Sequence, residues 1–252
     1  MQISSAVKSD VGRVRQKNED AHLVDEALGL YVVADGMGGH LGGRAASSLA
    51  VKTIGEEVRR HDAELDAVAA AQPLEQVKVP PILADAVRTA CGVIYRLAQE
   101  DPELRGMGTT VTALMLRVGR AFIAHVGDSR CYLQRGDRLV QITDDHSLVN
   151  EQVKAGILTA EGARTSRLKN IITRSVGFEC DVAVDTYALP LEVNDRFLLC
   201  SDGLTNLVDD AEIGLALSAR PLLEVPGYLV DLACARGGDD NVTVLCIHTE
   251  AL

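Results

Sequence analysis

The segment VVADGMGGH, residues 32–40, places a carboxylate at the end of an apolar run. The run begins at Leu30 and is closed by Asp35, and three glycines and a histidine follow within the next five residues. A short apolar run bounded by glycines predicts a buried β-strand. A carboxylate directly after a buried strand is unusual, and Asp35 occupies that position here.

The same arrangement occurs at four other places along the chain. Carboxylates border apolar strands in QKNED, AHVGDSR, LLCSDGL and GGDDNVTVLCI, which contain Glu19 and Asp20, Asp128, Asp202, and Asp239 and Asp240. For any one of these sites a simple turn is an equally good interpretation, because Asp and Gly both favour turns. Strands of a layered sheet end on common rims, however, so we expect the five sites to converge.

Converged carboxylates predict a metal centre. They repel one another and raise each other's pKa, and a pair of divalent cations removes that repulsion. Oxygen ligands favour Mg²⁺ or Mn²⁺ over zinc. Gly36 has no Cβ, so its carbonyl can approach the metal that Asp35 binds. Arg15 stands just before NED, where an arginine can hold a phosphate bidentately, although an isolated arginine would more simply be a surface residue.

The pattern of strands and helices predicts an α+β layered sandwich. Short turns such as VGR and RGD join neighbouring strands, which must therefore pair antiparallel. Residues 61–80 are alanine-rich and irregular, which predicts a helix tail and a surface loop. Strands are expected at 3–8, 21–24, 30–34, 109–118, 121–126, 130–134, 139–143, 182–189, 196–200 and 241–249, and helices at 43–60, 81–100, 209–219 and 222–236.

Composition narrows the class of protein. The 252 residues carry 36 acidic and 25 basic side chains, a formal charge of −11, which argues against nonspecific nucleic-acid binding. The sequence contains neither an apolar leader nor a run long enough to predict a membrane span. Its six cysteines are scattered without a CxxC pair, which favours a reduced, cytoplasmic setting. No linker or repeat divides the chain, so we expect one domain, residues 1–252.

Two polar residues on apolar strands receive structural interpretations. His125 lies between apolar neighbours and is expected to be a packed, hydrogen-bonded histidine. Ser201 precedes Asp202, but no GxSxG sequence surrounds it, so it is not assigned as a nucleophile.

Seven motifs occur in order, and together they resemble the metal-dependent protein phosphatases, the 2C-like class, in their compact bacterial form. The resemblance extends over about residues 3–249. The motifs are RxxNED from Arg15, ADGMGGH, GMGTT, GDSRCY, DDHS, SDGLTN and GGDDNVT.

The resemblance implies a four-layer αββα sandwich, with two central antiparallel sheets flanked by helices and a binuclear metal centre at one end. Asp35 would bridge two Mn²⁺ or Mg²⁺ ions and the Gly36 carbonyl would join one of them. Asp202 and Asp240 would bind the other ion. A flap, about residues 144–177, would lie beside the site.

Further roles follow from the same resemblance. Glu19 and Asp20 would hold metal-bound waters or complete the ligand shell. Asp128 would bind a third, weaker ion. Arg15 would hold the substrate phosphate, which makes Arg15, Asp35, Asp202 and Asp240 the expected catalytic set.

The implied activity is hydrolysis of phosphoserine and phosphothreonine in proteins, by direct attack of a metal-activated water. The implied partners are phosphorylated proteins, among them Ser/Thr kinases and the substrates of those kinases, and the chain is expected to be a monomer. Two alternatives remain: an inactive relative that binds phosphoproteins, and a phosphatase acting on anti-sigma-factor antagonists. Retention of Arg15, Asp35, Asp202 and Asp240 favours an active enzyme, and the intact RxxNED arginine with a full flap favours the general Ser/Thr type.

Overall fold

Strands form two antiparallel sheets in a computed structural model that describes residues 2–65 and 79–250. Every strand pairing within those residues is antiparallel, as the short predicted turns require. The strands are β1 (Gln2–Asp10), β2 (Asp20–Asp25), β3 (Leu30–Met37), β4 (Gly108–Thr109), β5 (Val111–Arg117), β6 (Arg120–Val126), β7 (Arg130–Arg135), β8 (Arg138–Gln141), β9 (Asp185–Pro190), β10 (Arg196–Cys200) and β11 (Val242–Glu250).

One sheet has the strand order β1-β11-β10-β7-β8, and the other has the order β2-β3-β5-β6-β9 with β4 also paired to β3. The helices of the described residues lie outside these sheets. They are α1 (Gly39–Arg60), α2 (Val79–Glu100), α3 (Leu148–Lys154), α4 (Ala160–Thr165), α5 (Asp202–Thr205), α6 (Asp210–Ala219) and α7 (Val225–Ala235).

The alternation of side chains along β3 shows how the layers stack. Leu30 and Val32 pack in the cluster formed with α1 and α2, whereas Tyr31 and Val33 pack between the two sheets. Such alternation follows from the two-residue period of a strand and requires both faces of β3 to be buried. A third cluster joins the other sheet to α6 and α7, for example through Leu198. The predicted α+β sandwich with four αββα layers is confirmed.

Several predicted boundaries differ from the structure. The strand expected at 182–189 begins at Asp185, and α1 begins at Gly39 rather than at residue 43. The first turn of α1 is glycine-rich and carries little helix propensity, so the sequence pattern could not indicate it. The segment expected as a helix over 222–236 is a 3₁₀ turn, Leu222–Glu224, followed by α7.

The flap contains two helices, α3 and α4, that the sequence did not predict. They have seven and six residues, too few for a helical period to be read. Of the region expected as a helix tail and loop, residues 66–78 lie outside the described part of the chain, as do residues 1, 251 and 252 of the expected domain. Among the described residues, no helix is both long and apolar enough to cross a bilayer.

Register brings the predicted carboxylates to one end of the sandwich. Asp20 at the start of β2 lies opposite Asp35 near the end of β3. In the other sheet, Cys200 at the end of β10 lies opposite Val244 near the start of β11, so the loops carrying Asp202 and Asp240 are neighbours. The fold therefore gathers these loops because the strands that carry them are paired.

Candidate active site

A cleft of about 850 Å³ opens at this end of the sandwich. All predicted site residues except Asp20 line it, which means that strands of both sheets contribute to one depression. Those lining residues are Arg15, Glu19, Asp35, Gly36, Asp128, Asp202 and Asp240.

Close backbone packing explains the glycines that follow Asp35. A Cβ on Gly36 would lie 2.0 Å from the Gly43 carbonyl oxygen and 2.7 Å from the Glu19 carbonyl oxygen. A Cβ on Gly43 would lie 2.8 Å from the Gly36 carbonyl oxygen, and 2.6 Å from Glu19 Oε2. Only glycine fits at these two positions, so they let the first turn of α1 pack against the strand end that carries Asp35.

Asp20 lies beneath the cleft and is held from the opposite sheet. Its Oδ2 accepts hydrogen bonds from Ser201 Oγ at 2.8 Å and Thr243 Oγ1 at 2.7 Å. Ser201 is fully buried, and its Oγ also accepts from the Thr243 backbone N–H at 2.9 Å. Ser201 therefore orients a carboxylate, in agreement with the structural interpretation of this residue.

Asp202 and Asp128 face the cleft from two further loops. Asp202 is the first residue of α5, and its Oδ2 accepts from Asn206 Nδ2 at 3.0 Å. Asp128 follows β6 and is only 7% exposed. Thr110 connects Asp35 with the loop of Asp128: its Oγ1 accepts from the Asp35 N–H at 2.9 Å and lies 2.8 Å from Ser129 Oγ.

Asn241 holds together the segments that carry Arg15, Glu19 and Asp240. Its Oδ1 accepts from the Glu19 N–H at 2.8 Å, and its Nδ2 donates to the Lys17 carbonyl at 3.0 Å. Arg15 Nη2 donates to Asp240 Oδ2 at 2.8 Å. The arginine segment is thus fixed beside the carboxylates, as its position in the sequence predicted.

Burial, and after it the mutual repulsion of the carboxylates, shifts the ionisation of this cluster. Burial, followed by the charges of neighbouring aspartates, raises the pKa of Asp35 well above its usual range. Burial raises the pKa of Asp20 to about 7, against its two hydroxyl donors, which lower it. Burial, and then neighbouring aspartate charge, also raises the pKa of Asp128 and of Asp202. A cation at this place would remove the repulsion that causes part of these shifts.

The donor atoms fit a hard divalent ion. Asp20 Oδ1, Asp128 Oδ1 and Asp202 Oδ1 are buried and accept no hydrogen bond. Such orphaned oxygens are costly unless another ligand satisfies them. Carboxylate oxygens are donors that suit Mg²⁺ or Mn²⁺, and Mg²⁺ typically keeps several waters and takes one or two carboxylates.

The flap lies beside this cleft. Asn170 and Ile172 of the flap line the cleft itself, and the helices α3 and α4 line an adjoining cavity of about 390 Å³. Asp128 and Asp202 border both spaces. The predicted flap position is therefore next to the carboxylate cluster.

The sequence did not indicate the residues that orient the carboxylates. Ser201, Thr243, Thr110 and Asn241 each hydrogen-bond to a site residue or its backbone. Each stands in or beside one of the recognised motifs, so motif position was the available signal. Their partners are distant in sequence, and only the pairing of strands shows which carboxylate each one meets.

An αββα sandwich with carboxylates and an arginine gathered at one end of its paired sheets defines a metal-dependent phosphatase architecture. The profile of the family described as protein phosphatase 2C matches residues 12–226. The serine/threonine phosphatase stp of Listeria innocua is 38% identical over 245 residues, which cover 96% of this chain and 94% of that protein. The chain belongs to the protein phosphatase 2C family.

Solved structures agree with this assignment. The Mycobacterium tuberculosis serine/threonine phosphatase PstP/Ppp superposes with a TM-score of 0.87 at 35% identity, covering 99% of both chains. A structure of the PstP catalytic domain in complex with two manganese ions superposes with a TM-score of 0.85 at 34% identity, again covering 99% of both chains. The predicted family, enzyme class and Mn²⁺ or Mg²⁺ cofactor are confirmed at the level of the family.

Proposed function

We propose that this protein is a Mn²⁺- or Mg²⁺-dependent serine/threonine phosphatase, a single domain over residues 1–252 that acts as a cytoplasmic monomer. It removes phosphate from phosphoserine and phosphothreonine in proteins and thereby opposes bacterial Ser/Thr kinases. One observation carries the proposal: buried carboxylates with orphaned oxygens surround a cleft that also contains Arg15.

The proposed ligand set divides into three parts. Asp35 and the Gly36 carbonyl would hold one ion, and Asp202 and Asp240 would hold the other. Glu19 and Asp20 would complete the ligand shell, directly or through water, and Asp128 with Asp202 would hold a third, weaker ion. Bound Mn²⁺ or Mg²⁺ would lower the pKa of water and offset the negative charge of a phosphoryl group.

The protein's own groups bind and orient the substrate. Arg15 and Lys17 line the cleft and bring positive charge to it, although the chain carries a net charge of −11. A guanidinium can bind two phosphoryl oxygens at once and so fix the orientation of the phosphate. The hydroxyl groups of Ser201 and Thr243 hold Asp20 in place, so that the carboxylate does not have to reorganise during turnover.

Hydrolysis of a phosphothreonine peptide by the purified protein tests the proposal. We expect no hydrolysis in EDTA, recovery with added Mn²⁺ or Mg²⁺, and loss of activity in Asp35→Asn. Asp137→Asn is the matched control, because Asp137 is an exposed hairpin carboxylate far from the cleft in the β7–β8 turn. Full activity in the chelator would overturn the metal-dependent mechanism.

The two alternative functions are separated by substrate. An inactive phosphoprotein-binding relative would bind the peptide without hydrolysing it at any metal concentration. A phosphatase for anti-sigma-factor antagonists would hydrolyse a phosphorylated antagonist protein faster than an autophosphorylated Ser/Thr kinase. We expect the opposite order, because the relatives described above are named serine/threonine phosphatases.

A further inference from the structure

His146, at the base of the flap, is bonded twice to the residue before Asp128. The His146 backbone N–H donates to the Gly127 carbonyl at 2.7 Å, and the Gly127 N–H donates to His146 Nδ1 at 3.0 Å. Both polar groups of Gly127 are thus satisfied by one residue nineteen positions later in the chain. The backbone that leads into Asp128 is fixed by the flap base.

The residue next to His146 holds the other side of the same loop. Arg130 Nε donates to Asp145 Oδ1 at 2.9 Å, and Arg130 Nη2 donates to Asp145 Oδ2 at 2.7 Å. Two parallel bonds of this kind are strong and directional. Asp128 therefore lies between Gly127 and Arg130. Both of these residues are hydrogen-bonded to the first residues of the flap.

The His146 ring is itself oriented by charged partners. Because Gly127 donates to Nδ1, the ring proton is on Nε2, which donates to Asp185 Oδ2 at 3.1 Å. Asp185 Oδ1 accepts from Arg174 Nη1 at 2.7 Å. Burial alone would raise the pKa of Asp185, but the hydrogen bonds from Arg174 and His146 hold that pKa below its usual value. For His146, burial lowers the pKa. Both shifts favour a neutral His146 ring and a charged Asp185 carboxylate, which are the forms that the hydrogen bond between them requires.

The Asp128 loop has little freedom to compensate if this support is lost. Gly127 has a φ of 111°, and a Cβ there would lie 2.5 Å from Thr110 Cγ2. Asp128 Oδ1 has no hydrogen-bond partner of its own. The backbone that carries Asp128 therefore contributes to the direction of its carboxylate.

The geometry points to His146 as a positioning residue for Asp128: by accepting the Gly127 N–H, it holds the Asp128 carboxylate in the direction that metal binding requires. The Asp145–Arg130 pair does the same from the other side. The inference rests on the proposed function, because it gives Asp128 a metal-binding role. The flap base, through Asp145 and His146, thus determines the affinity of the Asp128 site for its metal ion.

Three substitutions of His146 distinguish the role of its Nδ1 acceptor from that of the rest of the side chain. In His146→Asn, Oδ1 can take the place of Nδ1 and accept the Gly127 N–H. His146→Gln can reach Asp185 but has no acceptor at the Nδ1 position, and His146→Ala lacks both. His61→Ala, at the exposed C-terminal end of α1, controls for removal of an imidazole.

Amide exchange of the EDTA-treated protein gives the readout that does not depend on activity. We expect the Gly127 amide, measured by NMR relative to the Leu199 amide of β10, to exchange faster in the Ala and Gln variants. It should exchange at close to the wild-type rate in the Asn and His61→Ala variants. This result would establish the acceptor role of His146 without any metal present.

The Mn²⁺ dependence of turnover gives the functional readout. Loss of one hydrogen bond should raise the half-saturating Mn²⁺ concentration about five- to tenfold in the Ala and Gln variants. The KM for a phosphopeptide should stay within about twofold in these variants, because the substrate contacts are retained. His146→Asn should restore the wild-type half-saturating Mn²⁺ concentration, because it retains the acceptor. A general loss of fold would change KM and half-saturation together and would not be rescued by Asn.

Two outcomes overturn the inference, and they are distinguishable. If Asp128→Ala abolishes turnover while Ala and Gln at position 146 leave the half-saturating Mn²⁺ concentration unchanged, His146 does not position Asp128, and the proposed function stands. If Asp128→Ala itself keeps wild-type turnover and Mn²⁺ dependence, the proposed role of Asp128 is wrong and the inference fails with it. If His146→Ala does not fold, the half-saturating Mn²⁺ concentrations of His146→Asn and His146→Gln are compared instead, because only the Asn variant retains the acceptor.

Discussion

Arg15 Nη2 lies 2.8 Å from Asp240 Oδ2, so the arginine proposed to bind phosphate touches a carboxylate proposed to bind metal. The Arg15 side chain is 54% exposed and that of Asp240 30% exposed. An ion pair this open contributes only about 0–1 kcal/mol to stability. The pair therefore costs little to break, and Arg15 can turn from Asp240 toward a phosphate without disturbing the fold.

Replacement of Arg15 tests its role as a phosphate ligand. Arg15→Ala should raise the KM for a phosphopeptide about tenfold or more, because a charge-assisted hydrogen bond is worth about 1.5–3 kcal/mol. Steady-state kinetics at saturating Mn²⁺ measures this effect. Arg13→Ala, an exposed arginine two residues earlier, should leave KM within about twofold. An unchanged KM in Arg15→Ala would assign the phosphate contact to another residue.

Asp128 and Asp35 should respond differently to removal of their carboxylates. Asp128→Ala should leave two bound metals while greatly reducing turnover, because a site with few protein ligands binds weakly and is lost alone. Asp35→Ala should empty or disorder the central pair. Anomalous scattering from crystals grown with Mn²⁺, set beside kcat for each variant, measures both effects. Wild-type turnover in Asp128→Ala would make the third ion dispensable.

The sequence predicted the sheets and the convergence of carboxylates because both depend on local patterns. Strand period and short turns specify antiparallel pairing, which places the start of one strand beside the end of its neighbour, as for Asp20 and Asp35. The flap helices α3 and α4 could not be predicted, because they are too short for periodicity to show.

The hydrogen bonds that orient the site could not be predicted either. Asp20 lies 181 residues from Ser201 and 223 from Thr243, and only the approach of the two sheets brings them together. His125 was predicted correctly as a packed histidine, since its Nδ1 lies 3.0 Å from Thr112 Oγ1 and its Nε2 lies 3.0 Å from the Asp144 carbonyl. Its apolar neighbours in sequence were sufficient to indicate burial, although they did not indicate these partners.

Two glycine-to-alanine substitutions should have opposite effects on stability. Gly36→Ala should destabilise the protein by about 3 kcal/mol or more, because its Cβ would lie 2.0 Å from the Gly43 carbonyl oxygen. Gly92→Ala, in α2, meets nothing within 4 Å and should stabilise by about 0.5–1 kcal/mol, since alanine favours a helix over glycine. Urea unfolding measures both changes. Equal effects would mean that the close approach at Gly36 does not constrain the site.

His125 should make the stability of the fold depend on pH. Burial, and then the neighbouring imidazole of His146, lowers the pKa of His125 from 6.5 to about 3 in the folded protein. Between these values the unfolded chain binds a proton that the folded chain does not. Stability is therefore fully present above pH 6.5 and is lost as the pH falls toward 3.

The size of this loss can be measured by comparing unfolding at two pH values. From pH 7 to pH 5, the proton taken up by His125 in the unfolded state should cost about 2 kcal/mol of unfolding free energy. His125→Asn keeps a polar atom facing Thr112 but has no group that titrates in this range. Urea unfolding of both proteins at both pH values gives the difference directly, because the fixed cost of the substitution cancels. If the variant loses as much stability as the wild type, the pH dependence arises from other groups, and His125 is protonated in the folded state at pH 5.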